Sequence, residues 1–382
     1  MQSCFAALFS GLNLAPMELF VSLARDRKAS SLDMLEIDGS RYSGSGTIVR
    51  QAVAFAALTG NPVHVINIRV RRPKPGLRRQ HVQVVEAIRQ LVGGVSDGVT
   101  QGAQEIVFRP GNPSGSQRYT WDIGSAGSTT AVAIAVLPIL AFAPSPVSVE
   151  LRGGLFQDFA PSFYHLEYVL LPLLGRMGIK AAVRMDRPGY VPTGGGILCL
   201  DVKPVRNALE ALVFDKAYAP ERIWSIALSS RLKGKSVSDR MAEALTGAFA
   251  AAGYKAQVRV LYDATALQPG AGLAAFADLS GGARLGSDRA GAPGRRSEAI
   301  GRYVARQLLE DIKTGATLDR YASDQIIPFA ALAFGESKFR IPRVTEHIES
   351  SAWLCREILG AEVRAEGHEL SIKGVGFQPR SE

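Results

Sequence analysis

Residues 69–81 read R-V-R-R-P-K-P-G-L-R-R-Q-H. Six of the first eleven are Arg or Lys, and no carboxylate interrupts them. Pro73, Pro75 and Gly76 hold this charge in a turn instead of spreading it along a helix. Ahead of the turn, residues 62–70 alternate in strand fashion through Val63, Val65, Ile66 and Ile68. Behind it, residues 82–92 place Val84, Val85, Ile88, Leu91 and Val92 at helical spacing. A strand, a stiff turn and a helix in succession predict a layered α/β protein. A turn this basic, with Arg forks that grip oxyanions in pairs, is suited to phosphate.

Upstream, residues 34–38 form a short apolar strand ending in Asp38-Gly39. Residues 47–58 follow as a helix with Ile48, Val49, Ala52, Val53, Ala56 and Ala57 on one face. Downstream, residues 105–109 and 118–123 read as strands, giving a β-α-β-α-β-β order. The order recurs. Gly124-Ser125-Ala126-Gly127-Ser128 leads into an apolar helix through Leu140, then a strand at 147–151 and a helix at 161–177. Pro192-Thr193-Gly194-Gly195-Gly196 precedes a strand at 197–202, and residues 321–334 open a third unit. Residues 206–313 interrupt it with strands at 223–228 and 256–262, a helix at 237–252, a loop at 281–296 and a returning helix at 297–312. The expected fold class is α/β (α+β). A large domain, residues 34–205 and 314–382, has three repeated units, and a smaller α/β domain, residues 206–313, is inserted in the third.

The 382 residues are 47% hydrophobic, enough for one large core plus a smaller domain. A net charge of +9 favours a polyanionic partner. Cys4, Cys199 and Cys355 form no C-x-x-C pair, which points to a reducing, cytoplasmic setting and to no zinc site. No apolar run is long enough to cross a membrane. The first cation is Arg25, so residues 1–33 are read not as a signal peptide but as a poorly ordered extension, or as the product of an upstream start codon with Met34 the natural start.

Gly39 to Gly46 (G-S-R-Y-S-G-S-G) precedes a helix, where backbone amides bind anions. A tight packing turn is an equal reading, and Arg50 tips the balance to anions. Gln80 and His81 can complete the grip of the basic turn. Among the histidines, His64 fits inside a strand, His165 in a helix and His368 in a solvated turn. His347 sits in the first turn of a helix that Thr345 caps, where the helix dipole disfavours the imidazolium and keeps the ring nucleophilic. A surface histidine is the commoner occupant of such a position. In Tyr321-Ala322-Ser323-Asp324-Gln325, Tyr321 offers a stacking face and Asp324 a carboxylate, although an ordinary helix cap explains these residues taken alone.

Taken in order, I-D-G-S…G-S-G-T-I-V-R, R-x-x-R-x-K-P-G-L-x-R-Q-H, G-S-A-G-S, P-x-G-G-G and Y-x-x-D-Q resemble the RNA 3′-terminal phosphate cyclase family from about Leu35 to the C-terminus. The resemblance implies a ligase that uses ATP and a divalent metal (Mg or Mn). It would convert an RNA 3′-terminal phosphate to a 2′,3′-cyclic phosphodiester through a covalent histidine–AMP intermediate, releasing pyrophosphate and AMP. His347 matches the adenylated histidine. Tyr321, Ala322, Ser323, Asp324 and Gln325 match the nucleotide-binding turn, and Pro161 the proline on the other face of the adenine. Arg50, Arg69, Arg72, Gln80 and His81 match the set that handles RNA phosphate. The partner implied is RNA with a 3′-phosphate end. Two departures bear on metal and ATP. Ser43 stands where the family has a glutamate, and Ile134 where it has a glutamine, so no metal ligand is assigned. The rival reading is a non-catalytic RNA-binding relative. An enolpyruvyl-transferase-like enzyme lacks the Q-H and Y-x-x-D-Q signatures.

Overall fold

The computed structural model describes residues 34–112 and 115–378, so the expected extension at 1–33 lies outside the described residues. The first unit runs β1 (Leu35–Asp38), α1 (Gly46–Thr59), β2 (Val63–Ile66), α2 (Arg79–Leu91), β3 (Val95–Asp97) and β4 (Ile106–Arg109). The second runs β5 (Arg118–Asp122), α3 (Thr129–Ala141), β6 (Val147–Gly153), α4 (Phe163–His165), α5 (Leu171–Arg176), β7 (Lys180–Arg187) and β8 (Gly196–Lys203). A π-turn, Leu166–Leu170, joins α4 to α5. The third unit opens with β9 (Val213–Phe214). It is interrupted by β10 (Pro220–Ser230), α6 (Val237–Ala251), β11 (Ala256–Asp263), β12 (Gly270–Leu279), β13 (Arg284–Ala290) and α7 (Ser297–Lys313). It resumes with α8 (Ala322–Gln325), α9 (Ile327–Leu332), β14 (Glu336–Arg340), α10 (Glu346–Leu354), β15 (Glu362–Glu366) and β16 (Glu369–Lys373).

The α/β class holds. Three four-stranded sheets share one strand order, β1-β2-β4-β3, β5-β6-β8-β7 and β9-β14-β16-β15. In each, the first pair is parallel and the other two are antiparallel. The fourth sheet, β11-β10-β12-β13, departs from that order, and α6 and α7 pack against it and each other.

Two details differ from the sequence expectation. Residues 118–123 do not close the first unit; β5 pairs with β6 and opens the second. The missed strand is β3, whose single apolar residue, Val95, is exposed at a sheet edge, so alternation carries no signal there. The expected insert boundary at 206 also lies ahead of β9, which still pairs with β14, and the separate sheet begins at Pro220.

Helices from the three units meet at the centre, with α1 against α2, α3 and α10, and α2 against α3. Helix α3 is apolar all round and Ile134 is its sole residue outside the buried set, as expected for a helix surrounded by others. Helix α1 is bounded by local chemistry. Ser45 caps its start, and Gly60 ends it in the left-handed region, where its N–H reaches Ala56 O. These helices therefore bring several N-termini to one place.

Candidate active site

A cavity of about 660 Å³ opens where α1, α2, α8 and α10 begin, with one wall from α3 and the loop after β6. His347, Tyr321, Asp324, Gln325, Pro161, Arg50, Arg69, Arg72, Gln80 and His81 all line it. Residues up to about 300 positions apart in the chain thus share one chamber. Ala322 and Ser323 do not line it; both are buried, and Ser323 Oγ donates to Asp319 O at 2.6 Å.

At α10, Thr345 Oγ1 accepts from Ile348 N at 3.3 Å, and the resulting helix start presents His347 to the cavity. His347 Nδ1 lies 3.5 Å from Thr47 Oγ1, and Arg50 Nη2 donates to the same hydroxyl at 3.1 Å. The concave setting first, then the charges of Arg50 and Arg72, lower the His347 pKa against the opposing pull of Glu346. His347 is exposed to the cavity, and the lowered pKa favours the neutral form of its ring. In the tautomer that carries its proton on Nδ1, toward Thr47, Nε2 keeps a lone pair. Arg50 is pulled down to about 10 by burial, with Asp324 opposing and Arg69 adding to the effect, so it stays charged. Burial raises Asp324 to about 7, against the pull of Arg50.

His81 begins α2. Its Nδ1 accepts from Arg78 N at 3.0 Å, which fixes the Nε2–H tautomer of the neutral ring. Burial, then Arg50, Arg69 and Arg78, hold its pKa well below 6.5. The ring packs so close to α1 that a Cβ on Gly46 would stand 2.0 Å from His81 Nε2. Gln80 Oε1 accepts from Ser128 N at 3.2 Å, tying the basic loop to the G-S-A-G-S turn. The loop also grips its neighbours. Arg72 Nη2 donates to Ser43 O at 2.6 Å, Arg71 Nη2 to Tyr42 O at 2.5 Å, and Arg69 Nε to Gly76 O at 3.1 Å. Part of the loop's charge therefore braces the glycine-rich turn and the loop itself.

Sequence reasoning missed Asp158, Phe159, Arg320 and Arg343 on the cavity wall. Arg320, next to Tyr321, was within reach of it. Its guanidinium is engaged by Asp311 at 2.6 Å and Glu310 at 3.1 Å. The support beneath Tyr321 was not legible either. Asp319 is buried, accepts from Tyr321 N and Ala322 N at 2.8 and 2.9 Å, and meets His165 Nε2 at 3.1 Å. Burial lowers the His165 pKa, but Asp319, Asp288 and Asp324 outweigh it and raise the pKa overall. The expectation of a structural His165 fits this pairing. His64 differs from its expected packing; it lies between Glu36 and Glu105 at 3.3 and 2.7 Å.

The family model for RNA 3′-terminal phosphate cyclase matches residues 41–365. The chain belongs to the RNA 3′-terminal phosphate cyclase family. It is 36% identical to the RNA 3′-terminal phosphate cyclase of Hyperthermus butylicus, over 91% of this chain and all of that one. It is 35% identical to that of Methanopyrus kandleri, over 91% of this chain and 99% of that one. Among solved structures, the enolpyruvyl transferase NikO from Streptomyces tendae aligns at TM-score 0.39 and 12% identity, over 91% of this chain and 49% of that one. That likeness is too weak to carry an argument. Within the cyclase family this chain is a member of the ligase kind, and no described helix is long and apolar enough to cross a membrane.

The donor set does not fit a protein-held divalent ion. Among the described residues no cluster of three His, Cys, Asp and Glu side chains is placed to bind a metal. The position of the family glutamate is closed: Ser43 Oγ lies 2.8 Å from Ser350 Oγ and 3.1 Å from Ser45 Oγ, all buried. Of the cavity's two carboxylates, Asp158 is engaged by Arg295, and burial raises the Asp324 pKa to about 7, which weakens it as an anionic ligand.

Proposed function

We propose that this cyclase-family enzyme closes an RNA 3′-phosphate into a 2′,3′-cyclic phosphodiester with ATP, through AMP carried on His347. The observation that carries the reading is His347 itself: a neutral imidazole at a helix N-terminus, facing a cavity lined by Arg50, Arg69 and Arg72. Nucleophile and positive charge are thus preorganised before a substrate enters. In the first step His347 Nε2 attacks the α-phosphorus of ATP, and the bond to the β-phosphate oxygen breaks to release pyrophosphate. In the second, an oxygen of the RNA 3′-phosphate attacks that phosphorus and frees His347. In the third, the adjacent 2′-hydroxyl attacks the 3′-phosphorus, loses its proton and displaces AMP. The substrate class is RNA ending in a 3′-phosphate.

Tyr321 and Pro161 flank the base of ATP in this reading, and Asp324 and Gln325 line the same cavity. Arg50, Arg69, Arg72, Gln80 and His81 take phosphate oxygens. The segment from Pro220 to Lys313 acts as an inserted domain, and a cytoplasmic location suits the free thiols of Cys199 and Cys355.

The test is transfer of label from α-labelled ATP to protein. Wild type takes up AMP and His347→Ala takes up none. Equal labelling of the variant would remove His347 from its role. Binding of 3′-phosphate RNA with no labelling of wild type would favour the non-catalytic RNA-binding alternative.

A further inference from the structure

Four aromatic side chains line the cavity: Phe55, Phe329, Tyr321 and Phe159. Phe55 and Phe329 are buried in the core and offer no open face. Tyr321 is half-buried beside the nucleotide-binding turn. Phe159 is fully exposed, at the cavity rim two residues before Pro161. A lone exposed phenylalanine on a soft loop would carry no meaning. Here the chain on both sides of the ring is tied down. Arg295 Nη1 and Nη2 donate to the two oxygens of Asp158 at 2.8 and 2.7 Å. Arg289 adds a contact to Asp158 at 3.3 Å and lies over the Tyr303 ring at 4.3 Å. On the other side of Phe159, Thr130 Oγ1 donates to Pro161 O at 2.6 Å, and Ser162 N donates to Asp288 Oδ2 at 2.8 Å.

The loop is therefore clamped at both ends, largely from β13 of the inserted sheet and the segment after it. The backbone that carries the ring cannot collapse toward the protein without breaking a bidentate ion pair. An aromatic face held out in water at the rim of a phosphate-binding cavity matches the chemistry of an unpaired base. Two usable aromatic faces, Tyr321 and Phe159, match two unpaired bases, that of the nucleotide and that of the RNA end.

We propose that Phe159 is the stacking platform for a nucleobase at the 3′ end of the RNA substrate. This rests on the cyclase reading, in which Tyr321 is given to the base of ATP. The platform is indifferent to sequence, since every base has a π-face, and it costs little order on binding because the loop is already fixed. The inserted sheet gains a role through it: Arg289, Arg295 and Asp288 hold the RNA-facing loop in register with the cavity.

The probe is a short fluorescent oligoribonucleotide with a 3′-phosphate, its binding followed by anisotropy without ATP. Phe159→Ala should weaken binding by roughly 5- to 100-fold, the range of one lost base stack, and Phe159→Trp should restore it. An oligonucleotide lacking the bases at its 3′ end should bind wild type and Phe159→Ala alike. Labelling of His347 by ATP alone should be unchanged in Phe159→Ala, because that step involves no RNA. Unchanged RNA binding in Phe159→Ala overturns the proposal. So does weakened ATP labelling with intact RNA binding, which would give Phe159 to the nucleotide. Because RNA binding is read without chemistry, absence of His347 labelling in wild type would sink the cyclase reading separately and leave the stacking result to be judged by itself.

Discussion

Replacing Gly46 by alanine inserts one methyl group between α1 and His81. The added Cβ would stand 2.0 Å from His81 Nε2 and 2.6 Å from its Cε1. The imidazole cannot retreat freely, because it is buried and its Nδ1 is held by Arg78 N at 3.0 Å. Overpacking of a fixed core costs about 1–3 kcal/mol, and surrendering the buried hydrogen bond instead costs about 1–3 kcal/mol. Alanine in a helix returns at most about 1 kcal/mol over glycine. The two penalties are alternatives, since a ring that swings away relieves the clash by losing the bond. The net expectation is a loss of up to about 3 kcal/mol. In urea the midpoint should fall without a change in slope. Cyclisation of 3′-phosphate RNA should fall on the order of 100-fold, the scale of a displacement near 1 Å among reacting groups. A variant with wild-type midpoint and wild-type turnover would refute the claim that α1 and His81 are packed at the limit of contact.

Four further expectations follow from the charges. Asp319→Asn leaves an amide facing the N–H groups of Tyr321, Ala322 and Gly286 and removes the partner of His165. Breaking a buried pair in this way should cost about 3–5 kcal/mol, and an unchanged denaturation midpoint would show that the pair is not structural. His81 titrates well below its ordinary 6.5. Between that depressed value and 6.5 the unfolded chain binds the proton and the folded chain does not, so this group's contribution to stability falls as pH drops below 6.5. For His347, an ordinary imidazole would be about three-quarters protonated at pH 6. Because its pKa is lowered too, initial labelling rates measured from pH 7.5 to 6 should decline less than that; a full decline would show the ring to be unperturbed. If Arg50, Arg69 and Arg72 meet three RNA phosphates, log affinity for a 3′-phosphate oligonucleotide should fall against log salt with a slope of about −2. A flat salt titration would take the RNA away from these arginines.

Much of the fold was readable in the chain because hydrophobic period reports burial directly. The alternation through Val63 and Val65 and the helical spacing of Ile48, Val49, Ala52 and Val53 each match buried faces. The reading failed at β3, where a short exposed edge strand leaves no apolar pattern, and it gave β5 to the wrong unit. The same holds in the site. Residues with unusual local chemistry stood out: the proline-stiffened arginines, His347 behind its Thr345 cap, and Tyr321 before Asp324. Phe159 and Asp319 did not, because a phenylalanine or an aspartate has no meaning until its surroundings are known.

The sequence by itself determined most of the strands and helices, which family the motifs resemble, and which residue types are suited to phosphate, since all of these depend on neighbours along the chain. Tertiary structure alone decided that His347 faces Thr47 and Arg50, that Ser43 is closed against Ser350, and that the inserted sheet grips Asp158. Those pairs lie between about 130 and 310 positions apart. Their chemistry depends on distance and burial, which only the packing of three units around shared helices sets.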